Sequence, residues 1–158
     1  MSTIEKSIDV NAPVQTVYNQ WTQFEEFPRF MEGVEEVRQI NDKDLQWQVN
    51  IGGQRKRFET VITEQIPDKR IAWRTRGGVE NGGVVTFHRI SDNLTRVMLQ
   101  MEYQPEGFVE KAGDFLGVTS HRIQGDLERF KEFVEKRGME SGAWRGTIGN
   151  PNAGQPTR

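Results

Sequence analysis

The sequence lacks cysteine altogether, and its 158 residues include only two histidines, His88 and His121, 33 positions apart. Without cysteine, a disulfide scaffold, a thiolate nucleophile and a cysteine-ligated zinc site are excluded. Two separated histidines with no carboxylate pattern beside them make no metal site either. Neither sign of charge is in excess: 21 Lys+Arg stand against 23 Asp+Glu, a formal net charge of −2. No overall positive field exists to gather phosphates, so nucleic acid is not an expected partner. Long hydrophobic runs are also missing. Apolar residues make up 34% of the chain, and no run approaches the ~20 residues of a membrane span. Stable membrane insertion is therefore not expected. The opening MSTIEKSIDV has neither a charged n-region nor an apolar h-region, which argues against a signal peptide. The expectation is a cytoplasmic protein of one domain, without metal or cofactor. A chain of this length buries about two-thirds of its unfolded surface, enough for a full core.

What the sequence does have is periodicity. Ile4, Ile8 and Val10 fall on alternate positions of a first strand, Thr3 to Val10. Asn11-Ala12-Pro13 then offers a cap-competent side chain and a fixed φ for a helix start. Val14, Val17, Tyr18 and Trp21 follow on one helical face, and a second short helix, about Phe24 to Phe30, is interrupted by Pro28. From Val34 to Tyr103 the period becomes two. Leu45, Trp47, Val49 and Ile51 alternate strictly with polar residues, and Gly52-Gly53 accepts the positive φ of a hairpin turn. Closing that hairpin sets Trp47 opposite Phe58 and Leu45 opposite Thr60. Pro67-Asp68 marks the next turn, after which Ile71 and Trp73 share a face. Gly77 to Gly83 carries four glycines and reads as a mobile loop, either a lip over a cavity or an ordinary loose hairpin.

A final hairpin from Val84 to Tyr103 reverses at Asp92-Asn93. Its register predicts one face of Val84, Thr86, His88, Ile90, Thr95, Val97, Leu99 and Met101. This is the more apolar face and is assigned inward, with Val85, Phe87, Arg89, Arg96, Met98 and Gln100 opposite. The strongest element comes last. Phe108, Ala112, Phe115, Thr119, Ile123, Leu127, Phe130 and Val134 are separated by steps of three and four, the stripe of an α-helix from Gly107 to Arg137. Such a helix is on the order of 45 Å long. Antiparallel strands with helices segregated to the ends argue an α+β fold with about six to seven strands. Residues 1–137 form the expected domain. Residues 138–158 are a Gly-, Pro- and Asn-rich tail, in which Trp144 is either a docking latch or part of an exposed segment.

Several of these residues resemble a known family. Asn11-Ala12-Pro13-Val14 with Val17-Tyr18, then Trp21-Thr22-Gln23-Phe24-Glu25-Glu26-Phe27-Pro28-Arg29-Phe30-Met31, is similar to the opening of bacterial cyclase/dehydrase-type proteins. Ile71-Ala72-Trp73, Gly83-Val84-Val85-Thr86-Phe87, Asp126-Leu127-Glu128-Arg129-Phe130-Lys131 and Gly142-Ala143-Trp144-Arg145-Gly146 fit the same subgroup. It belongs to the helix-grip (START-like) superfamily, with lipid-transfer domains, birch-pollen-allergen-like proteins, aromatic polyketide cyclases and coenzyme Q-binding proteins. The resemblance implies a curved antiparallel sheet gripping the long helix, with a largely apolar cavity between them. It does not choose among carrier, receptor and enzyme.

A small hydrophobic molecule is the expected partner: a lipid, an isoprenoid quinone or a polycyclic compound. The residues expected to contact it are Leu45, Trp47, Val49, Phe58, Trp73, Thr86, His88, Leu99 and Met101 from the sheet, with Phe115, Thr119 and Ile123 from the helix. No Gly-x-Ser-x-Gly elbow is present, and the glycine runs lack the lysine of a phosphate loop. His121 lies opposite the apolar stripe and should face solvent. His88 is the one candidate catalytic group: on an inward face its imidazole would bond a ligand oxygen or act as a base. The plainer alternative, a rim histidine satisfied by a neighbour, is favoured. With Thr86, Thr119 and Tyr103 it makes thin equipment for a cyclase or dehydratase of polyketide-like substrates. Arg55, Arg57, Arg74, Arg89 and Arg96, with Arg76 near the loop, are expected on the outer sheet face. There they form either a basic stripe for a membrane or protein partner or, as favoured, a solvated surface.

Overall fold

The computed structural model describes residues 2–76, 82–103 and 112–149. Seven strands form one antiparallel sheet: β1 (Ser2–Val10), β2 (Val34–Gln39), β3 (Asp44–Ile51), β4 (Gln54–Ile66), β5 (Arg70–Arg76), β6 (Gly82–Ser91) and β7 (Leu94–Tyr103). Their spatial order is β1-β7-β6-β5-β4-β3-β2. Strands β2 to β7 therefore run as a meander, and β1 closes against the last strand. Helix α1 (Val14–Trp21) and a 3-10 helix (Phe24–Arg29) connect β1 to β2, and helix α2 (Ala112–Arg137) follows β7. This is the α+β helix-grip architecture, a curled sheet around a C-terminal helix of about 39 Å. The curl has local causes. Register shifts at Val34/Glu36, Ile62/Glu64 and Arg89/Ser91 mark bulges, which bend strands and tighten their twist.

The turns follow their residues. Gly52 and Gly53 both have positive φ, and Trp47 pairs with Phe58 and Leu45 with Thr60. Asp68, the next turn's central residue, also has φ of 63°. The 3-10 helix explains itself. Residues three apart eclipse one another in that geometry, so Phe24, Phe27 and Phe30 line one edge with ring centroids 5.5 and 5.6 Å apart. Pro28 lies inside the segment without breaking it. On α2, Ile123, Leu127, Phe130 and Val134 are buried as one stripe. Phe130 meets the rings of Trp21 and Phe30 at 4.9 and 5.2 Å.

Four expectations are corrected. Asn11 does not cap α1: Pro13 is the cap residue, and no side chain bonds the helix start. Asn11 instead donates from its backbone N and its Nδ2 to Glu135 Oε2, at 2.8 and 2.9 Å, tying the end of β1 to α2. Gly82 and Gly83 are not loop residues but the first two of β6; residues 77–81 lie outside the described residues, as do Gly107 to Lys111, with Phe108.

The third correction reverses a face. Ser91 pairs with Leu94 as a two-residue turn requires, yet Arg89 pairs with Thr95, because a bulge at Ile90 adds one residue to β6. Side chains alternate with period two, so one extra residue moves the whole strand to the other face. Val85 and Phe87 are buried beside Thr95, Val97 and Leu99. Thr86 and His88, expected inward, lie on the outer face, where His88 is exposed and its Nε2 is 2.9 Å from Thr86 Oγ1.

The fourth concerns the arginines expected to form a basic stripe or a solvated surface, most of which are ion-paired. Arg55 pairs with Glu35 at 3.3 Å, Arg76 with Asp44 at 2.8 Å, and Arg96 with Asp9 at 2.8 Å. Arg89, expected on the outer face, lies after the shift on the side of Val85 and Phe87, at the exposed end of β6, and pairs with Asp92 across the turn. Much of the basic stripe is thus neutralised side chain by side chain.

The tail segment through Gly149 docks on the domain. Ile148 pairs with Gln65 through two backbone bonds of 2.9 and 3.0 Å and is buried. Trp144 packs against the core, and its backbone N donates to Thr22 Oγ1 at 3.1 Å. Arg145 donates to Asn19 Oδ1 and Asp68 Oδ2 at 2.6 and 2.7 Å, and its guanidinium lies over the Tyr18 ring. The latch reading of Trp144-Arg145 is the one observed.

Candidate functional site

Between sheet and α2 lies a cavity of about 300 Å³. The period of each element decides what it presents there. Alternate residues of the central strands supply one wall: Leu45, Trp47 and Val49 from β3, Phe58, Thr60 and Ile62 from β4, and Ile71, Trp73 and Thr75 from β5. Leu99 and Met101 of β7 extend it. Opposite them, α2 contributes Arg122, Ile123, Asp126 and Leu127, two adjacent pairs one turn apart. Trp21, Phe24 and Phe27 fill one end, and the Met31–Val34 turn closes another side.

Of the residues expected to touch a ligand, Leu45, Trp47, Val49, Phe58, Trp73, Leu99, Met101 and Ile123 all line this space. Phe58 stands at its rim, 36% exposed, stacked on Trp47 with centroids 5.7 Å apart. Thr86 and His88 do not reach it, for the register reason above. His121 is exposed. The side chains of Tyr103, Phe115 and Thr119 lie outside the described residues.

Two arrangements seat the indoles of the apolar wall. Trp47 Nε1 donates to Thr60 Oγ1 at 2.9 Å, so the indole satisfies the buried hydroxyl beside it. Gly83 pairs with Trp73 across β5 and β6, and its missing side chain leaves room for the indole.

The polar end was not foreseen. The apolar alternation and the helical stripe point to apolar residues, so neither Arg122 nor Asp126 is among the residues expected there. Both flank the apolar stripe at a spacing of four, one position before Ile123 and Leu127, and that offset is the signal that could have revealed them. Phe24 and Phe27 were likewise missed as wall residues, although their spacing of three was legible. Asp126 Oδ1 accepts from the Glu32 backbone N at 2.9 Å and from Arg129 Nη2 at 2.5 Å. Burial nonetheless pushes the Asp126 carboxyl above its ordinary value, outweighing these donors and the nearby Arg122. Arg129 is committed as well, since its Nε donates to Phe30 O at 2.9 Å. Among the described residues, no three histidine or carboxylate side chains gather as a metal site requires.

No helix among the described residues is long and apolar enough to cross a membrane. The arrangement is a concave, largely apolar surface with a small polar end, suited to holding a molecule of the same character.

Comparison with known proteins agrees on the fold. A 17.2 kDa protein of Streptomyces lincolnensis, encoded between melC2 and rnhH and itself uncharacterised, is 54% identical over 149 residues, covering 94% of this chain and 99% of its own. The Zhui aromatase/cyclase of Streptomyces sp. R1128 superposes with a TM-score of 0.75 at 14% identity, over 90% of this chain and 99% of that one. A START superfamily protein of Mycobacterium smegmatis does so with 0.70 at 16% identity, over 85% and 98%. The family model for polyketide cyclase/dehydrase and lipid transport proteins matches residues 10–132. By that match, which spans most of the sheet and the greater part of α2, the chain belongs to the polyketide cyclase/dehydrase and lipid transport family.

Proposed function

We propose that this protein binds a small, largely apolar molecule in the cavity between sheet and α2, as a cytoplasmic carrier or sequestering protein. A lipid, an isoprenoid quinone or a polycyclic compound is the ligand class. The observation that carries the reading is the cavity of about 300 Å³, walled by Trp47, Trp73, Leu99 and Met101 and facing Ile123. This volume is at the small end of the ~300–1,000 Å³ typical of ligand sites. Burying apolar ligand surface there contributes about 25 cal/mol per Å², less the cost of ordering the ligand. The family's description includes lipid transport, which supports the same reading.

The competing reading, a cyclase or dehydratase, relied on His88 as its polar group. With His88 on the outer face, that version has no histidine in the cavity. The interaction-module reading needed an unopposed basic stripe, and most of the arginines in it are paired.

Organic extraction and mass spectrometry of protein purified from its native source test the proposal. A single class of apolar compound at near-stoichiometric amount is the expected result. As a control, Leu99→Trp fills the cavity and is expected to abolish co-purification while the fold survives. Equal recovery of the compound from wild type and Leu99→Trp would overturn the proposal.

A further inference from the structure

We infer that the cavity's ligand is amphipathic and bears one acidic oxygen group, a carboxylate or an ionised phenol or enol, which Arg122 receives. The inference rests on the ligand-binding proposal and names the ligand's chemistry.

It begins from an inventory of charge at the polar end. Four ionisable side chains meet there: Arg122 and Asp126 on α2 and Glu32 on the turn before β2 line the cavity, and Arg129 stands one turn beyond Asp126. Arg129 donates to Asp126 and to the Phe30 carbonyl. Asp126 is in turn held by Arg129 and the Glu32 N–H. Arg122 differs. Its Nε is buried and has no hydrogen-bond partner, and the nearest carboxylate oxygen, Glu32 Oε2, stands 3.9 Å away. That is an ion pair in reach but not a hydrogen bond. The Glu32 side chain is 65% exposed, against 25% for Arg122. Glu32's charge therefore sits in water, where it is screened, and offsets the arginine weakly on the cavity side.

The arginine also lies close against the turn. Gly33, at φ of +82°, brings backbone against it, and a Cβ at that glycine would stand 3.4 Å from Arg122 Nη1 and 2.9 Å from Asn50 O. A guanidinium is always charged and presents five donors in a rigid fork that matches a carboxylate. In a wall built mostly of aromatic and aliphatic side chains, a cation with an unmet buried donor favours a ligand whose acidic end meets it. Burial raises the Asp126 pKa, and its Oδ1 is already taken by the Glu32 N–H and by Arg129. The apolar body of that ligand would lie against Trp47 and Trp73.

Two probes of nearly equal size separate this inference from the reading beneath it: 2-naphthoate and 2-naphthylmethanol. Binding is followed by calorimetry, with tryptophan fluorescence as a second readout. The wild-type protein is expected to bind the carboxylate about ten- to a hundredfold more tightly than the alcohol, the effect of a hydrogen bond to a charged group. Arg122→Gln should erase that preference, and a cooperative thermal unfolding transition reports that the variant is folded. Arg122→Lys keeps the charge without the fork and should retain part of the preference. If wild type binds both probes equally, or Arg122→Gln keeps the preference, the inference is wrong while the apolar-ligand reading stands. If neither probe binds wild type, both fall together.

Discussion

Gly83 and Trp73 face each other across β5 and β6, and a Cβ at Gly83 would lie 2.6 Å from Cζ2 of the indole. The absent side chain of one strand thus sets the position of the largest side chain on the next. The same Cβ would also lie 2.9 Å from the Gln100 backbone oxygen, so the strain cannot be relieved by the indole alone. Gly83→Val is expected to cost about 1–3 kcal/mol, as overpacking usually does, and to displace Trp73 from the cavity wall. Urea unfolding and the tryptophan emission spectrum check this. Unchanged stability together with an unchanged spectrum would show that the wall is not set by this contact.

The outer position of His88 makes an opposite kind of prediction. His88 is exposed and its ring meets Thr86, away from the cavity. His88→Ala should therefore change stability by no more than about 0.5 kcal/mol, as expected for a surface site. It should leave apolar-probe affinity unaltered. A large loss of binding in this variant would return the histidine to the site.

Arg145 fastens the tail. It bridges Asn19 and Asp68 and covers the Tyr18 ring, but its side chain remains about one-third exposed. Exposed ion pairs contribute little and ring stacking somewhat more, so Arg145→Ala is expected to cost roughly 1 kcal/mol. Proteolysis should report more than unfolding does. Residues 139–149 are expected to become cleavable in the variant at protease levels that leave wild type intact, because Trp144, Ile148 and the bonds of Glu140 and Ser141 to Asn19 and Gln20 then hold the segment without it. Identical cleavage rates would show that Arg145 is incidental to docking.

Glu135 gives the acid limb of stability its sign. Burial alone would raise its pKa, but the donors Lys131 and Asn11 outweigh burial and hold the carboxyl below the ordinary glutamate value of 4.5. A carboxylate with a lower pKa folded than unfolded contributes stability that is complete above the unfolded value. That contribution is lost as pH falls through the lower, folded value. Glu135→Gln is expected to be less stable than wild type at neutral pH, with the difference closing below about pH 4.5. Chemical denaturation at a series of pH values measures it. A difference that persists undiminished to low pH would assign the effect to packing rather than charge.

Much of this molecule could be read from local rules. The strict alternation at Leu45, Trp47 and Val49, the paired glycines at 52 and 53, and the stripe from Ile123 to Val134 each depend on one strand, one turn or one helix, and each was legible. Seven cavity residues followed from that alternation, because a strand that faces a core presents every second side chain to it, and Ile123 followed from the helical stripe. The family resemblance, carried by short motifs spread along most of the chain, matched the same order of elements.

What the sequence by itself determined, then, is the set of elements, their order and the apolar face of most of them, since these depend on neighbours in the chain. Only the tertiary structure decided the face of β6, because a single extra residue at Ile90 inverts the parity of everything before it and leaves no mark in hydropathy. It also decided that Asn11 serves Glu135 rather than its own helix, 124 positions away along the chain. Arg122 and Asp126 likewise gain their meaning from the turn at Glu32 and Gly33, more than 85 residues earlier. Contacts of that kind are made by the closing of the sheet around the helix, and no local pattern encodes which polar residue the closure will leave inside.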